Sequence, residues 1–238
     1  MSLGDDAAIS YKQSEIDKLA EQLIGEGIVV VAAVGNDENG MIKPPANSPG
    51  VIAVGGVDDH NRLEEVSNPY HSTYGTTVDG LYKPELLAHA IWIAAPILPG
   101  TPEQAESEIL HRLLQLPDEY LAEGCEKNIS KTKLDPEMFR GNDVTFIRQK
   151  ILARISTGKY ISPYYMHVDG TSFAAPIVSS VIAQLLEINP ALTPAMIRSV
   201  LLSTAKRIEN LAVERQGFGV VQPWKAILKI LKREVIMK

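Results

Sequence analysis

The heptapeptide GTSFAAP, residues 170–176, is the stretch of this 238-residue chain that decides its fold. Apolar residues follow it at helical spacing, namely Ile177, Val178, Val181, Ile182, Leu185, Leu186 and Ile188. Because they occupy most of the helix circumference, they predict a helix inside a protein core. Ser172 would then lie at the N-terminus of a rigidly held helix, where unpaired backbone N–H groups and the helix dipole favour developing negative charge.

The small residues around Ser172 suit a nucleophile. Gly170 lets backbone or substrate approach closely, and Ala174 and Ala175 let the helix pack tightly behind the hydroxyl. The same string also suits a tight glycine turn that caps a buried helix without doing chemistry. By itself the motif therefore leaves both interpretations open.

A second motif lies near the start of the chain, where IVVVAAV at residues 28–34 is followed by GNDENG at residues 35–40. An apolar run without alternation predicts a strand buried on both faces, usually in a parallel sheet. Open α/β sheets bind ligands at the carboxyl ends of such strands, which is where Asn36 stands. Gly-Asn-Asp is also ordinary turn chemistry, so a turn residue is the alternative for Asn36.

Together these motifs resemble the subtilisin-like serine peptidases, the subtilases of peptidase family S8. Further matches follow in family order: SPGVIAVG at 48–55, KPELLA at 83–88, NPALTP at 189–194 with Ile197 and Arg198 after it, and GFGVV at 217–221. The resemblance implies an α/β fold, namely the subtilisin-like three-layer α/β/α domain with a mostly parallel sheet. It spans nearly all of residues 1–238, as a partial catalytic domain whose N-terminal part is missing.

The resemblance also implies roles for individual residues. Ser172 would attack the peptide carbonyl, and Asn36 would donate a side-chain N–H to the forming oxyanion, together with the backbone N–H of Ser172. Two short segments would bind the polypeptide substrate. One wall of the pocket for the side chain before the cut would be Ala33, Val34 and Gly35, while Ser2, Leu3 and Gly4 would pair with the substrate backbone as an added strand.

The base that a catalytic serine requires is not found in this sequence. A serine hydroxyl is a weak nucleophile until an oriented base takes its proton. In subtilases the Asp and His stand in Asp-Ser/Thr-Gly and His-Gly-Thr contexts upstream of the substrate-binding strand, and neither context occurs here. The five histidines are followed by Asn, Ser, Ala, Arg and Val, at His60, His71, His89, His111 and His167. We therefore expect this chain to lack the catalytic Asp and His and to be inactive alone.

Two functions from different classes remain open. The first is the serine-bearing part of a peptidase, with its base supplied by upstream sequence or a complementing chain. The second is a noncatalytic peptide- or protein-binding module derived from a subtilase. A parallel sheet without its early strands would expose an apolar edge, which predicts pairing with the missing N-terminal part, a propeptide or a second copy. Residues 1–3 could be a native start or an expression scar.

Residues 101–163 depart from a compact subtilase and predict a helical insertion. Glu103–Leu116 and Val144–Ile155 both carry apolar residues at helical spacing, and a basic, turn-rich stretch at 127–133 separates them. Such an insertion could be a lid, a docking site or a decorating helical hairpin. His89 and Ala90 stand where the family usually has Pro-Gly, so the local loop is expected to differ.

Composition sets the remaining bounds. The net charge of −6 gives no basic face for nucleic acid, and no apolar stretch predicts a membrane span. The single cysteine, Cys125, rules out an internal disulfide framework. No cofactor is required for the chemistry and no transition-metal ligand spacing is found. Secretion is the family tendency, but no signal peptide precedes the domain, so the compartment is undetermined. The resemblance allows structural calcium, with acidic loop candidates at Asp37, Glu38, Asp58 and Asp59.

Overall fold

The computed structural model describes residues 1–60, 68–139 and 143–236. The chain forms two compact units, Met1–Ile91 with Asp169–Lys238, and Trp92–Val168. In chain order the helices are α1 (Glu15–Gly25), α2 (Pro102–Leu114), α3 (Asp118–Asn128), α4 (Val144–Thr157), α5 (Thr171–Ile188), α6 (Pro194–Thr204), α7 (Val213–Gln216) and α8 (Pro223–Ile236). The strands are β1 (Val31–Ala33), β2 (Ile52–Asp58), β3 (Asn68–Pro69), β4 (Gly75–Thr76), β5 (Tyr82–Lys83), β6 (Leu86–His89), β7 (Ile93–Pro96), β8 (Tyr160–Ser162) and β9 (Tyr165–Val168).

The main sheet of the first unit is built around β2. Strands β1 and β6 pair with β2 in parallel, and the short β3 pairs with its end in antiparallel fashion. Residues 28–34 form a regular strand only over Val31–Ala33, but the pairing continues beyond it. The Ile52 N–H donates to Val30 O at 3.0 Å, and the Val34 N–H donates to Val54 O at 3.2 Å. The predicted buried strand is therefore confirmed over its central part.

Alternate residues of β1 and its extensions face two helical layers. Val30, Ala32 and Val34 pack in one buried cluster with Ala20 of α1. Val31 belongs to a second cluster that includes residues of α5, α6 and α8. Because side chains alternate across a strand, one sheet separates the two clusters. The predicted three-layer α/β/α architecture with a mostly parallel sheet is confirmed.

Helix α5 occupies the centre of the larger cluster. In the described ranges it is the one helix whose length and composition would suit a membrane span. It packs against β1, β2, β6 and α8, and Val178, Val181 and Leu185 are buried there. These contacts make α5 a core helix, as its all-round apolar pattern predicts.

Helix α1 begins after Ser14. The Ser14 hydroxyl accepts a hydrogen bond from the Asp17 N–H at 3.2 Å, so Ser14 is the N-cap. The helix buries Ala20 and partly buries Ile24 against the sheet.

The second unit has a core of its own. Strands β7, β9 and β8 form an antiparallel sheet in that order, and α2, α3 and α4 pack together beside it. Its buried residues include Leu110, Leu121 and Ile151. The two predicted helices correspond to α2 and α4. Helix α3 was not predicted, because only Leu121 and Cys125 of this acidic stretch are buried. Residues 101–163 lie within this unit, and their status as an insertion stays a prediction.

Candidate active site

Ser172 is the second residue of α5. Its side chain is half-buried, whereas Thr171 before it is fully buried. In the described part of the first unit, the Ser172 hydroxyl makes no hydrogen bond. The prediction that Ser172 lies at the N-terminus of a core helix is therefore confirmed, whereas its role as the nucleophile stays a prediction.

Asn36 is held against the start of α5 by Thr171. The Asn36 Oδ1 accepts hydrogen bonds from the Thr171 N–H at 2.8 Å and from the Thr171 hydroxyl at 3.0 Å. The Thr171 Oγ1 also accepts from the Gly35 N–H at 3.3 Å. With its oxygen held on two sides, the exposed Asn36 amide has a fixed orientation, and its Nδ2 has no acceptor among the described residues of the unit. The structure thus brings Asn36 and the Ser172 segment together.

Thr171 was missed by the sequence analysis. Its only sequence signal is a hydroxyl residue between Gly170 and Ser172. It joins the loop after β1 to the first turn of α5, and at 0% exposure its hydroxyl is shielded from water. A buried hydroxyl that lost its hydrogen-bond partners would raise the free energy of the folded state. The hydrogen bonds of the Thr171 hydroxyl therefore fix the positions of Gly35 and Asn36 relative to α5.

Gly170 is required by its backbone conformation. It has φ 131° and ψ 155°, a backbone conformation that only glycine adopts readily. A Cβ built at Gly170 would lie 3.4 Å from the Asn36 Nδ2, and the Gly170 N–H donates to Ala90 O at 2.7 Å. A side chain at residue 170 would therefore strain the backbone and would lie in van der Waals contact with the Asn36 amide.

Pro176 frees the Ser172 carbonyl for a different partner. In a regular helix that carbonyl would accept from the N–H of the residue four positions later, but proline has none. The Ser2 hydroxyl donates to Ser172 O instead, at 2.8 Å. A proline inside the helix thus ties the opening segment of the chain to the residue expected to act as nucleophile.

Residues 1–4 run beside the free edge of β1. The Met1 nitrogen donates to Val31 O, and Met1 O accepts from the Ala33 N–H at 3.0 Å. Ser2, Leu3 and Gly4 are exposed. Further along, the Asp5 N–H donates to Pro44 O at 3.0 Å. The segment expected to pair with substrate is therefore a short extended stretch next to Ser172.

The residues expected to line the pocket for the substrate side chain, Ala33 to Gly35, differ in their exposure. Ala33 and Gly35 are half-buried, whereas the Val34 side chain is 4% exposed and packs in the cluster on the α1 side of the sheet. Only the backbone of Val34 is therefore available to a ligand. The alternation of side chains along the strand accounts for this difference.

The histidines of the first unit are engaged elsewhere. His60 lies 3.2 Å from Asp58, and His89 lies 3.2 Å from Asp59. The His71 ring stacks on Tyr70 with a centroid distance of 3.9 Å. In the described part of this unit, no histidine hydrogen-bonds to Ser172.

The acidic loop residues considered for calcium also have protein partners. Asp37 Oδ1 accepts from the Asn39 N–H at 3.0 Å, Glu38 pairs with Arg215 at 2.8 Å, and Asp58 and Asp59 face histidines. Among the described residues, no group of three or more His, Cys, Asp or Glu side chains is placed to hold a metal. These four carboxylates do not converge on one ion, and calcium stays a prediction.

The family assignment rests on comparison with known proteins. Residues 1–219 match the sequence profile of the subtilase family, Peptidase S8. The chain belongs to this family of serine proteases. It is 26% identical over 228 residues to serine protease AprX of Bacillus subtilis (strain 168), covering 93% of this chain and 40% of AprX.

Solved structures show the same fold. The prenylagaramide maturation protease PagA is similar with a TM-score of 0.57 and 20% identity, over 96% of this chain and 59% of PagA. The self-cleaved protease domain of PatA gives 0.55 and 20%, over 97% of this chain and 59% of that domain. The chain thus spans 40–59% of the length of these relatives, which is less than two thirds of each.

Proposed function

We propose that this chain is the serine-bearing part of a subtilisin-like endopeptidase domain, carrying the nucleophile Ser172 and the oxyanion donor Asn36. One observation carries the proposal. The Thr171 N–H and hydroxyl both donate to the Asn36 Oδ1. This orients the Asn36 Nδ2 beside the start of α5, where it can donate to a ligand. Preorganised donors of this kind stabilise the oxyanion without reorganising during reaction, and losing one typically costs about 100- to 1,000-fold in turnover.

In this reaction the Ser172 oxygen forms a bond to the peptide carbonyl carbon while a base takes the hydroxyl proton. The carbonyl oxygen becomes the oxyanion, which accepts hydrogen bonds from the Asn36 side chain and the Ser172 N–H. As the intermediate collapses, the peptide C–N bond breaks and the leaving amine takes the proton from the base; water then releases the acyl group from Ser172. Because no histidine in the described part of the first unit hydrogen-bonds to Ser172, we assign the base to upstream sequence or to a complementing chain. The isolated chain is accordingly proposed to be inactive.

The proposed substrate is a polypeptide bound in extended form. The backbone of Ser2, Leu3 and Gly4 would pair with one side of it, as in other cases of strand addition. The backbone of Ala33 to Gly35 would line the pocket for the residue before the cut. The edge of β1 is the proposed place for upstream sequence, a propeptide or a second copy to join the sheet.

Fluorophosphonate labelling tests this proposal, because a base-activated serine attacks the phosphorus of the reagent, displaces fluoride and becomes phosphonylated. We expect the folded chain alone to show no labelling at Ser172 by mass spectrometry. Labelling should appear after addition of an upstream segment that carries the Asp-Ser/Thr-Gly and His-Gly-Thr contexts, and Ser172→Ala should abolish it. Rapid labelling of the chain alone would show that a base already reaches Ser172.

A noncatalytic peptide-binding module is the second candidate, favoured by the engagement of the histidines described above. It predicts that Ser172 stays unlabelled even with the upstream segment present. It also predicts that Ser172→Ala binds extended peptides as tightly as the unsubstituted chain does.

A further inference from the structure

A separate cavity of about 280 Å³ lies in the first unit between β5 and the two residues after it, α6 and the segment around α7. Its volume is close to the lower end of the roughly 300–1,000 Å³ range of small-molecule sites. A cavity of this size suits a ligand no larger than a single amino acid. None of the residues that line it belongs to the Ser172 site.

One side of the cavity is apolar and exposed to water. Tyr82 is 69% exposed, Val213 is 53% exposed and Phe218 is 46% exposed, and all three line the same cavity with Pro84. Large apolar side chains are often exposed singly, but a group of them around a concave site indicates ligand binding. This wall would cover an apolar or aromatic side chain.

Two of the charged groups at the cavity, Glu85 and Arg198, already have protein partners. The Glu85 Oε1 lies 2.6 Å from both the Lys83 Nζ and the Arg198 Nη2. The Arg198 Nη1 also donates to Val51 O at 3.2 Å. This network holds two cations and one carboxylate, so it carries a net charge of +1, but each of its charged groups already has a protein partner.

Arg207 and Glu214 are different. Both line the cavity, both are exposed, and neither forms an ion pair or side-chain hydrogen bond with a described residue. The cavity therefore offers one unpaired cation and one unpaired anion next to an apolar wall. A ligand with one negative group, one positive group and an apolar body complements all three features.

The walls are held rigidly, as a binding site requires. Gly217, with φ 57°, lies so close to Pro84 that a Cβ there would be 2.3 Å from Pro84 O. The Phe218 N–H donates to Glu85 O at 2.9 Å. The buried Gln216 side chain accepts from the Ile208 N–H at 2.7 Å and donates to Ile208 O at 3.1 Å, which fixes the loop that follows Arg207.

We propose that this cavity binds a free apolar α-amino acid in its zwitterionic form. The carboxylate would pair with the Arg207 guanidinium and the ammonium group with the Glu214 carboxylate. The side chain would lie against Tyr82, Val213 and Phe218. Guanidinium and carboxylate groups form strong, directional hydrogen bonds, so both ends of the ligand would be recognised. This site goes beyond the proposed peptidase function and does not depend on Ser172.

Isothermal titration calorimetry on the full chain tests the site with four ligands. L-phenylalanine has all three groups, N-acetyl-L-phenylalanine lacks the ammonium, L-phenylalaninamide lacks the carboxylate and glycine lacks the side chain. We expect saturable one-to-one binding of L-phenylalanine, and at least about tenfold weaker binding of each other ligand, since one lost contact of about 1.4 kcal/mol corresponds to that factor. Absent binding of L-phenylalanine, or equal binding of the amide or the N-acetyl form, would overturn the proposal.

Charge-removing variants locate the site. Arg207→Gln and Glu214→Gln should each weaken L-phenylalanine binding by at least about tenfold. Lys206→Gln removes a neighbouring charge that does not line the cavity, so it should leave the affinity unchanged. Ser172→Ala should also bind normally, which separates this test from that of the peptidase function. Unchanged binding by Arg207→Gln with an unchanged melting temperature would refute the site.

Discussion

At the residue scale, the arrangement around Ser172 depends on how individual backbone groups find partners. Pro176 has no backbone N–H, so the Ser172 carbonyl lacks its usual partner within the helix. The Ser2 hydroxyl donates a hydrogen bond to this carbonyl instead. Thr171 uses both its N–H and its hydroxyl to hold the Asn36 Oδ1. Each contact joins residues that are far apart in sequence, so the site is assembled by the fold.

The link between Ser2 and Pro176 can be measured with a double-mutant cycle. Ser2→Ala should lower the free energy of unfolding by about 0.5–1 kcal/mol, because an exposed neutral hydrogen bond is lost. In a Pro176→Ala background the restored N–H can bond to the Ser172 carbonyl, so Ser2→Ala should cost almost nothing. Urea unfolding of the four proteins gives the coupling energy, and an equal cost in both backgrounds would contradict this account.

Asp17 gives a prediction about pH. Burial raises the pKa of this carboxyl to about 6, with Glu21 adding to the effect, and the partial opposing contributions of Ser14, Lys83 and Asn47 do not cancel it. In the described structure neither carboxylate oxygen of Asp17 has a hydrogen-bond partner. Between pH 4 and 6 the folded state therefore holds a proton that the unfolded state has lost, so stability falls as the pH rises through this window.

Replacing Asp17 with Asn removes the unfavourable free energy of a buried, ionised carboxylate above pH 6. At pH 7.5 we expect Asp17→Asn to raise the free energy of unfolding by about 1–3 kcal/mol, because a shift of one pKa unit corresponds to about 1.4 kcal/mol. The gain should shrink at pH 5, where Asp17 is largely protonated. Urea unfolding at both pH values checks it, with the exposed Asp6→Asn as the control, and an equal gain at pH 5 and 7.5 would argue against a buried, protonated Asp17.

At the scale of elements, Glu106 joins three parts of the second unit. Its carboxylate accepts from the Arg154 guanidinium of α4 at 2.8 and 2.6 Å, from the Tyr160 hydroxyl of β8 at 2.9 Å and from the Lys133 N–H at 2.6 Å. Burial alone would raise the pKa of Glu106, but these hydrogen bonds outweigh burial and lower it to about 2. Since Glu106 is 3% exposed, the ion pair is shielded from solvent.

Glu106→Gln should destabilise the second unit by about 2–4 kcal/mol, because Arg154 would keep a partly buried charge without its partner. The folded pKa lies below the ordinary value of 4.5, so this stability is present above pH 4.5 and is lost as the pH falls towards 2. Hydrogen exchange of the α4 amides should speed up at pH 7 in Glu106→Gln, whereas the exposed Glu119→Gln should not change it. Equal α4 protection in all three proteins would exclude this role.

At the scale of the whole molecule, the edge of the main sheet is thinly covered. Strand β1 pairs with β2 on one side, and among the described residues only Met1 hydrogen-bonds to its other side. Leu3 next to it is 54% exposed. An exposed strand edge with apolar neighbours favours pairing with a further strand.

We expect the chain to self-associate through this edge. In sedimentation experiments the average mass should rise above 26.0 kDa as the concentration increases. Leu3→Lys should shift this rise to higher concentration, because a charged edge residue opposes strand pairing. Leu231→Lys changes an exposed leucine of α8 and should behave like the unsubstituted chain. A monomer at every concentration would contradict the prediction.

The sequence by itself determined the core helix after Ser172 and the strand that ends before Asn36, because each has a local signature, and the order of its motifs determined the resemblance that implies the family and the three-layer fold. The order of residues in a motif and the spacing of apolar residues can both be recognised within a short stretch of sequence. The tertiary structure decided three features of the site: the hydrogen bonds from Thr171 to Asn36, the hydrogen bond from Ser2 to Ser172, and the burial of the Val34 side chain. The cavity between Tyr82, Arg207 and Phe218 was decided in the same way. These features join residues up to 170 positions apart, and only the packing of the sheet between its helical layers brings them within hydrogen-bonding distance.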